Sequence, residues 1–303
     1  MRLRAPVALT VAAAVAAGCG SSSTLVPAEA AGAPHATVRY CTDGGRSLSL
    51  DIYEPSNTGR HPLLIFVHGG SWAFGSSRIT GQSPVVQQVV AGVLSRGFAV
   101  ASVNYRLAPA DPWPAQIIDV RCAIRYLRSS ADRWGIDPHR IAAMGNSAGG
   151  QLVSLAALSA GQVPAWDNGQ FAGESSSVAA VVDCWGPIDL LASGWSATAL
   201  EIGRVVFRVD WGTQNATLAA ASPVSYVGAG APPFLIIQGA ADALVPPAQS
   251  IELRNRLTAA GDRATLIEVS HAAHELIPSG GAISPDVASL ARQTVDFLAA
   301  AVG

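Results

Sequence analysis

The sequence predicts an α/β fold in which a mostly parallel central sheet is flanked by helices. Apolar runs of strand length alternate with segments of helical periodicity, which is the pattern of a parallel sheet covered on both faces. One of these runs, Leu63–Val67, contains no polar residue, as expected of a strand buried on both sides. With 303 residues, half of them hydrophobic, the chain is long enough for one large domain of this kind.

The N-terminal segment is predicted to direct export. Arg2 and Arg4 precede an apolar run that is too short for a membrane span and typical of a signal peptide. Small residues then lead to Cys19 and a serine-rich stretch, which resembles a bacterial lipoprotein signal with Cys19 as the lipidated first residue of the mature protein. Ordinary cleavage near residues 27–31 is the alternative. We expect an exported protein, either secreted or anchored to a membrane through Cys19.

The boundaries that follow are residues 1–36 for the signal peptide and tether and residues 37–303 for a single domain. Within that domain Cys41, Cys122 and Cys184 remain. In an oxidising compartment two of them can form a disulfide and one is left over, and the sequence does not choose the pair.

The first half of the domain is predicted to begin with an antiparallel hairpin. Residues 37–42 and 47–53 alternate between apolar and polar side chains around a turn at Asp43-Gly44-Gly45. Further elements follow in order: a strand at 62–67, a helix at 84–96, a strand at 98–103, a helix at 115–134, a turn at Asp137-Pro138 and a strand that begins near Ile141.

The second half continues the alternation of strands and helices. Its predicted elements are strands at 178–184, 233–238 and 264–269 and helices at 248–260 and 286–301. Residues 161–177 and 193–215 fit the alternation poorly. These two stretches carry Trp166, Phe171, Trp195, Phe207 and Trp211. We interpret them as possible lid segments that line a pocket, with plain surface packing as the alternative.

A candidate nucleophile lies where a strand turns into a helix. Gly145-Asn146-Ser147-Ala148-Gly149 has the Gly-x-Ser-x-Gly pattern in that context. A serine on such a sharp turn is held in a strained conformation that exposes its hydroxyl, and glycines are needed beside it because side chains would collide with the neighbouring strand and helix. We expect Ser147 to be the nucleophile.

A second loop is predicted to supply hydrogen-bond donors for an oxyanion. The strand at 62–67 runs directly into His68-Gly69-Gly70-Ser71-Trp72. Glycines there allow backbone N–H groups to turn into the site at the carboxyl edge of the sheet. We expect the amides of Gly69, Gly70 and Ala148 to form an oxyanion hole, and Trp72 and Asn146 to contact substrate.

The acid and the base are predicted to follow the last two strands. Asp242 comes shortly after the strand at 233–238, where it can orient a histidine. His271 and His274 follow the strand at 264–269, and we favour His274 as the general base because a loop of several residues normally separates that strand from the base. Asp189 is an alternative acid, but a turn-capping role suits its position better.

These motifs together resemble the esterase/lipase branch of the α/β-hydrolase superfamily. The resemblance rests on His68 to Trp72, on Asn104-Tyr105-Arg106-Leu107-Ala108-Pro109, on Gly145 to Gly150, and on the order Ser147, Asp242, His274. The chain is similar to hormone-sensitive-lipase-like and to feruloyl- or acetyl-esterase-like enzymes. The resemblance implies an α/β-hydrolase fold and hydrolysis of short- to medium-chain acyl esters through an acyl-enzyme intermediate.

Other functions remain as alternatives. Ser71-Trp72 replaces the third glycine of the commonest form of the oxyanion loop, and the same form occurs in kynurenine-formamidase-like amidases. A lipase and a non-catalytic binding scaffold are the other candidates, although the scaffold is disfavoured because every catalytic element is present.

Composition excludes several further classes of function. A net charge of -2 and few charged residues argue against nucleic-acid binding. A zinc site at His271, His274 and Glu275 lacks the usual spacing. We expect no cofactor and no metal, while the oligomeric state is not predicted.

Overall fold

The computed structural model of the protein describes residues 36–167 and 169–303. The predicted signal peptide and lipidated Cys19 lie outside the described residues, as does all of the tether except Ala36. The central feature is an eight-stranded sheet with the strand order β1-β2-β4-β3-β5-β6-β7-β8. Its strands are β1 Ala36–Asp43, β2 Arg46–Tyr53, β3 His61–Val67, β4 Ala99–Val103, β5 Ile136–Asn146, β6 Ala180–Cys184, β7 Phe234–Gly239 and β8 Ala264–Val269.

Strand β2 is antiparallel to both of its neighbours, β1 and β4, and every other neighbouring pair is parallel. The prediction of a mostly parallel sheet with an N-terminal antiparallel hairpin is therefore confirmed. Because parallel neighbours all end at the same edge, the loops after β3, β5, β7 and β8 meet there.

Helices cover both faces of the sheet. They are α1 Pro84–Ser95, α2 Ala115–Ser129, α3 Ala148–Leu158, α4 Ala197–Phe207, α5 Ala216–Ala221, α6 Ala248–Ala259 and α7 Val287–Val302. Helices α1 and α7 pack against each other in one apolar layer, and α2, α3 and α6 bury their apolar sides in the layer on the opposite face. Within the described residues, no helix is long and apolar enough to cross a membrane.

Two local predictions were wrong. Helix α2 ends at Ser129 rather than at Trp134, because the chain continues in tight turns that still bury Ala131 and Trp134 and so extend the helical pattern. Asp137 and Pro138 lie within β5 and not in a turn. Proline is tolerated there because the pairing of β5 with β3 is interrupted by a register shift between His61 and Leu63.

A disulfide joins Cys41 on β1 to Cys122 on α2, and Cys184 is free and buried. This is the pairing that the sequence left open. The bond ties the outermost strand of the sheet to the helix that covers it.

Of the two stretches interpreted as possible lids, the described part of the first, residues 161–167 and 169–177, is held against α2 by arginines. Arg121 donates to the Val163 carbonyl at 3.2 Å, and Arg125 donates to the Gln170 carbonyl at 3.1 Å. Both arginines also pair with Asp167. A segment held by buried arginines is part of the wall of the domain, whereas residues 193–215 contain α4 and lie over the carboxyl edge of the sheet.

Candidate active site

Three side chains from three different loops meet at the carboxyl edge of the sheet. Ser147 follows β5, Asp242 follows β7, and His274 follows β8. The Ser147 Oγ lies 2.9 Å from the His274 Nε2, and the His274 Nδ1 lies 2.7 Å from the Asp242 Oδ2. This is the geometry of a nucleophile, a general base and an acid that orients the base.

The backbone at Ser147 is strained in the way that the sequence predicts. Its φ of 53° and ψ of -119° are unusual for a residue with a side chain. The turn is also very tight. A Cβ at Gly145 would lie 2.2 Å from the Gly149 carbonyl oxygen, and a Cβ at Gly149 would lie 2.0 Å from the Val67 carbonyl oxygen. Only glycine fits at these two positions.

Asp242 is fully buried and held in one orientation by several donors. Its Oδ1 accepts hydrogen bonds from the amides of Leu244 and Val245, both at 2.9 Å. Its Oδ2 accepts one from the Gln238 side chain at 3.2 Å in addition to that of His274. The carboxylate therefore presents one fixed oxygen to the imidazole.

Of the two candidate bases, the structure brings His274 and not His271 to the nucleophile. His271 is exposed, and its ring lies against Gly281, where a Cβ would be 3.1 Å from the imidazole. Asp189 likewise lies apart from the three residues and caps its own turn, since its Oδ1 accepts the Leu191 amide at 2.9 Å.

One predicted oxyanion donor has another partner. The Gly69 N–H donates to the Asn146 Oδ1 at 3.0 Å, so the expectation that this amide faces substrate is wrong for this structure. Among the described residues, the amides of Gly70 and Ala148 donate to no protein group. Ala148 is the first residue of α3, where backbone N–H groups lack intrahelical acceptors. These two amides remain as candidate oxyanion donors.

Asn146 was predicted to contact substrate, but its side chain is engaged within the protein. While its Oδ1 accepts from Gly69, its Nδ2 donates to both carboxylate oxygens of Glu275, at 3.1 and 3.2 Å. Only 4% of the residue is exposed. The sequence does not reveal Glu275 as the partner of Asn146, because no local pattern shows where the side chain next to His274 points.

Two aromatic residues of the motifs that carry the family resemblance, His68 and Tyr105, have a structural role. The rings of His68 and Tyr105 stack at 4.3 Å, and the Tyr105 hydroxyl donates to the His68 carbonyl at 2.9 Å. Burial lowers the pKa of His68 to about 4, although a hydrogen bond with the Gly69 carbonyl opposes this shift. His68 is thus a neutral structural residue that fixes the start of the loop.

A cavity of about 20 Å³ lies beside Ser147, which is roughly the space of one water molecule. Trp72, which is predicted to contact substrate, borders this cavity, and its Nε1 donates to the Gln151 side chain at 3.0 Å. The other bordering side chains are mainly apolar and include Trp195, Ala199, Ile202, Trp211 and Leu244. A site of this size and polarity suits a small apolar group.

The aromatic residues of 193–215 build one side of this cavity. Trp211 packs edge-on against Trp195 at 4.9 Å and against Trp72 at 6.1 Å. Helix α4 approaches closely, since a Cβ at Gly203 would lie 2.3 Å from the Trp211 ring. Trp166, from the other aromatic stretch, instead packs on Trp113 and does not border the cavity.

No cluster of three or more His, Cys, Asp or Glu side chains suited to a metal ion occurs among residues 36–167 and 169–303.

Comparisons with known proteins agree with this geometry. The BD-FAE family profile matches residues 50–257. Esterase LipQ of Mycobacterium tuberculosis is 35% identical over 223 residues, which cover 72% of this chain and 51% of LipQ. Esterase LipC of the same organism is 35% identical over 225 residues, which cover 73% of this chain and 54% of LipC. The chain therefore spans about half the length of these curated relatives.

Among solved structures, a truncated form of a carbohydrate esterase from gut microbiota superposes with a TM-score of 0.75 at 28% identity. That match covers 89% of this chain and 97% of the other. The whole of the described fold is therefore shared with an esterase of known structure.

Proposed function

The chain belongs to the BD-FAE family within the esterase branch of the α/β-hydrolases, and from this premise we propose that it hydrolyses carboxylic esters with Ser147 as the nucleophile. The observation that carries the proposal is the pair of short contacts from the Ser147 Oγ to His274 and from His274 to Asp242. Relatives and a neighbouring structure that are esterases support the same activity.

In the proposed first half-reaction the Ser147 Oγ attacks the ester carbonyl carbon while the His274 Nε2 takes the hydroxyl proton. The tetrahedral intermediate collapses, the bond to the alcohol oxygen breaks, and His274 returns the proton to the departing alkoxide. An acyl group then remains on Ser147. Water adds to it in the same way, with His274 as base, and releases the carboxylic acid and the free serine. Asp242 holds the imidazole so that its Nε2 faces Ser147.

The negative oxygen of each tetrahedral intermediate needs donors that are already in place. The amides of Gly70 and Ala148 support this role because neither donates to a group within the described protein. Ala148 directly follows Ser147, and Gly70 directly follows Gly69, where a Cβ would lie 3.3 Å from the Ser147 Cβ. Loss of one such donor typically lowers turnover by about 10²- to 10³-fold.

We propose that the acyl group is short, at the lower end of the short- to medium-chain range. The support is the small cavity beside Ser147, which Trp195, Trp211 and Leu244 border. A long acyl chain would require these side chains to move apart, so a lipase is disfavoured. Each additional methylene that lacks space in a hydrophobic pocket changes kcat/KM by about 10- to 200-fold.

The test is hydrolysis of p-nitrophenyl esters from acetyl to long acyl chains by the protein and its Ser147→Ala variant. We expect kcat/KM to peak at acetyl or propionyl and turnover to be lost in the variant. Ser225→Ala, which replaces an exposed serine, is the matched control. Turnover that survives Ser147→Ala would disprove the mechanism, and a peak at long chains would disprove the assignment of acyl size.

A formamide substrate is a second candidate that the cavity favours, because a formyl group is smaller than any other acyl group. Trp72, which the sequence connects with kynurenine-formamidase-like enzymes, borders the cavity. Matched aryl acetates and N-formyl arylamines separate the two candidates. Preference for the formamide in kcat/KM would replace the esterase proposal with an amidase that uses the same triad.

We also propose that the protein is exported, with lipidation at Cys19 as its means of membrane attachment. The disulfide between Cys41 and Cys122 supports export, because such bonds form and persist mainly in oxidising compartments. Metabolic labelling with a palmitate analogue, compared between the full chain and its Cys19→Ala variant, tests the attachment.

A further inference from the structure

A continuous chain of hydrogen bonds connects residues next to Ser147 and His274 with the oxyanion loop. It runs from the Gly69 amide to the Asn146 Oδ1 at 3.0 Å, and from the Asn146 Nδ2 to the Glu275 carboxylate at 3.1 and 3.2 Å. Gly69 belongs to the oxyanion loop. Asn146 directly precedes the nucleophile, and Glu275 directly follows the general base. The chain of bonds thus links the three loops that must act together in the reaction.

The oxyanion loop also packs closely against Asn146. A Cβ at Gly69 would lie 2.8 Å from the Asn146 carbonyl oxygen and 3.0 Å from its Nδ2. The oxyanion loop therefore rests directly on the residue before Ser147. A small shift of the Asn146 side chain has to move either the Gly69 amide or the nucleophile turn.

The backbone at Glu275 is strained. Its φ is 58° and that of Leu276 is 57°, in the left-handed region that residues with side chains rarely occupy. Strain of this kind persists only where surrounding contacts compensate for it. The two hydrogen bonds from Asn146 to the carboxylate are such contacts.

We propose that Asn146 and Glu275 are positioning residues that hold the oxyanion loop and the His274 loop in register with Ser147. The inference rests on the proposed esterase function. Asn146 acts through Gly69 on the neighbouring Gly70 amide, and Glu275 acts through the backbone on His274. Neither residue exchanges a proton or touches the reacting atoms. The pair stabilises the transition state by keeping its donors and its base in place before substrate arrives.

This role predicts a particular kinetic pattern. Misplacement of catalytic groups by about 1 Å lowers turnover by up to about 10²-fold, and it affects the transition state more than the bound ester. Asn146→Ala removes the bond from Gly69 and the bonds to Glu275, and we expect kcat to fall about 10- to 100-fold while KM changes by less than about threefold. Glu275→Ala removes only the bonds from Asn146, and we expect kcat to fall about 10-fold on the same basis. Glu275→Gln keeps a carbonyl oxygen that accepts from Asn146, and we expect it to stay within about threefold of the wild type.

The sharpest test reverses the polarity of the pair. Asn146→Asp places a carboxylate against Glu275, so two like charges face each other and kcat is expected to fall as in Asn146→Ala. In the double variant Asn146→Asp/Glu275→Gln, the aspartate accepts from Gly69 and from the new amide, and the chain of bonds is complete again. We expect the double variant to recover kcat to within about fivefold of the wild type, which is a coupling that independent sites do not show.

Controls separate positioning from general damage. Glu268→Ala removes an exposed glutamate from β8, the strand that precedes the same loop, and is expected to behave as wild type. Urea unfolding of each variant shows whether a loss of kcat follows a loss of fold. If the double variant is no better than Asn146→Asp, or if Asn146→Ala raises KM and leaves kcat unchanged, the positioning role is wrong and Asn146 binds substrate.

Failure of the positioning inference can be distinguished from failure of the proposed function. If the wild type hydrolyses no ester or formamide at all, the proposed function fails, and the positioning inference fails with it. If the wild type is active and loses activity in Ser147→Ala, the function stands, and the Asn146 and Glu275 variants decide the inference alone.

Discussion

Asp183 is a buried carboxyl group directly beside the nucleophile strand. It lies opposite Gly145 in the pairing of β6 with β5, and its Oδ1 accepts the Gly186 amide at 3.0 Å. A Cβ at Gly150 would lie 2.3 Å from the same oxygen. Burial raises the pKa of Asp183 to about 7, although the Gly186 amide opposes the shift. Asp183 therefore holds its proton more tightly in the folded protein than in the unfolded chain, and the stability of the fold depends on pH.

A pH dependence of stability follows from this raised pKa. In the native state Asp183 stays protonated up to about pH 7, whereas in the unfolded chain it loses its proton at about pH 4. The contribution of Asp183 to the free energy of unfolding is therefore full below about pH 4 and is lost as the pH rises towards 7. In Asp183→Asn this loss is absent, so its free energy of unfolding relative to wild type is expected to rise by up to about 1.4 kcal/mol per pH unit over that range.

Urea unfolding of both proteins at pH 5, 6, 7 and 8 measures this difference. The His68 titration has the opposite sign, because burial lowers its pKa and its contribution is lost as the pH falls. It is present in both proteins and cancels in the comparison. A difference that stays constant from pH 5 to 8 would contradict the prediction.

The two histidines of the last loop are expected to differ sharply in function. His274→Ala removes the base that contacts the Ser147 Oγ, and kcat should fall by at least about 10⁴-fold. His271→Asn is the matched variant, because asparagine tolerates the φ of 56° at that position. Its kcat on p-nitrophenyl acetate should remain near that of the wild type. Equal losses in the two variants would place the base elsewhere.

At the scale of elements, helix α4 and Trp211 form one side of the cavity beside Ser147. Ala199 and Ile202 of this helix border the cavity, and Phe207 at its end packs against Trp72 at 5.3 Å. The packing of the helix on Trp211 therefore affects the size of the cavity. The helix approaches Trp211 closely at Gly203.

Gly203→Ala is expected to destabilise the protein, although the same change normally stabilises a helix by about 1 kcal/mol. The added methyl group would lie 2.3 Å from the Trp211 ring, and overpacking of this kind costs about 1–3 kcal/mol. Gly81→Ala is the control, since a Cβ there meets no atom within 4 Å. Urea unfolding decides between the two effects, and a gain in stability for Gly203→Ala would show that the helix and Trp211 can separate freely.

At the scale of the whole molecule, the disulfide closes a loop between residues 81 positions apart in the chain. It fastens the edge hairpin to α2 in the main core. The hairpin is joined to the parallel part of the sheet by the antiparallel pairing of β2 with β4. The antiparallel edge is the part of the sheet farthest from the loops of the active site, so the bond is expected to act on stability more than on catalysis.

Replacement of both cysteines by alanine is expected to lower the free energy of unfolding by about 2–5 kcal/mol, and the loop-entropy estimate for this separation is about 4.5 kcal/mol. Activity on p-nitrophenyl acetate at 25 °C should change little. Urea unfolding gives the first quantity and steady-state kinetics the second. A change below about 0.5 kcal/mol would mean that the unfolded state is not constrained as the loop-entropy account requires.

The sequence predicted the strands of the sheet and the helices that flank it closely. The signals for these elements are local, namely the periodicity of apolar residues and the glycine or proline at the ends of the element. The elbow at Ser147 was predictable for the same reason, since a strained turn needs small neighbours within a few residues. Helix α4 was not predicted, because its apolar residues face an aromatic cover rather than the sheet and the local pattern does not distinguish the two.

The sequence by itself determined the fold class, the order of the elements and the residue types at the carboxyl edge. Only the tertiary structure decided that His274 rather than His271 reaches Ser147, that Cys41 pairs with Cys122, and that Asn146 joins Gly69 to Glu275. These contacts join positions 77 to 129 residues apart. Local patterns carry no information about such distances, because packing of the whole sheet and its helices fixes which loops meet and which way their side chains point.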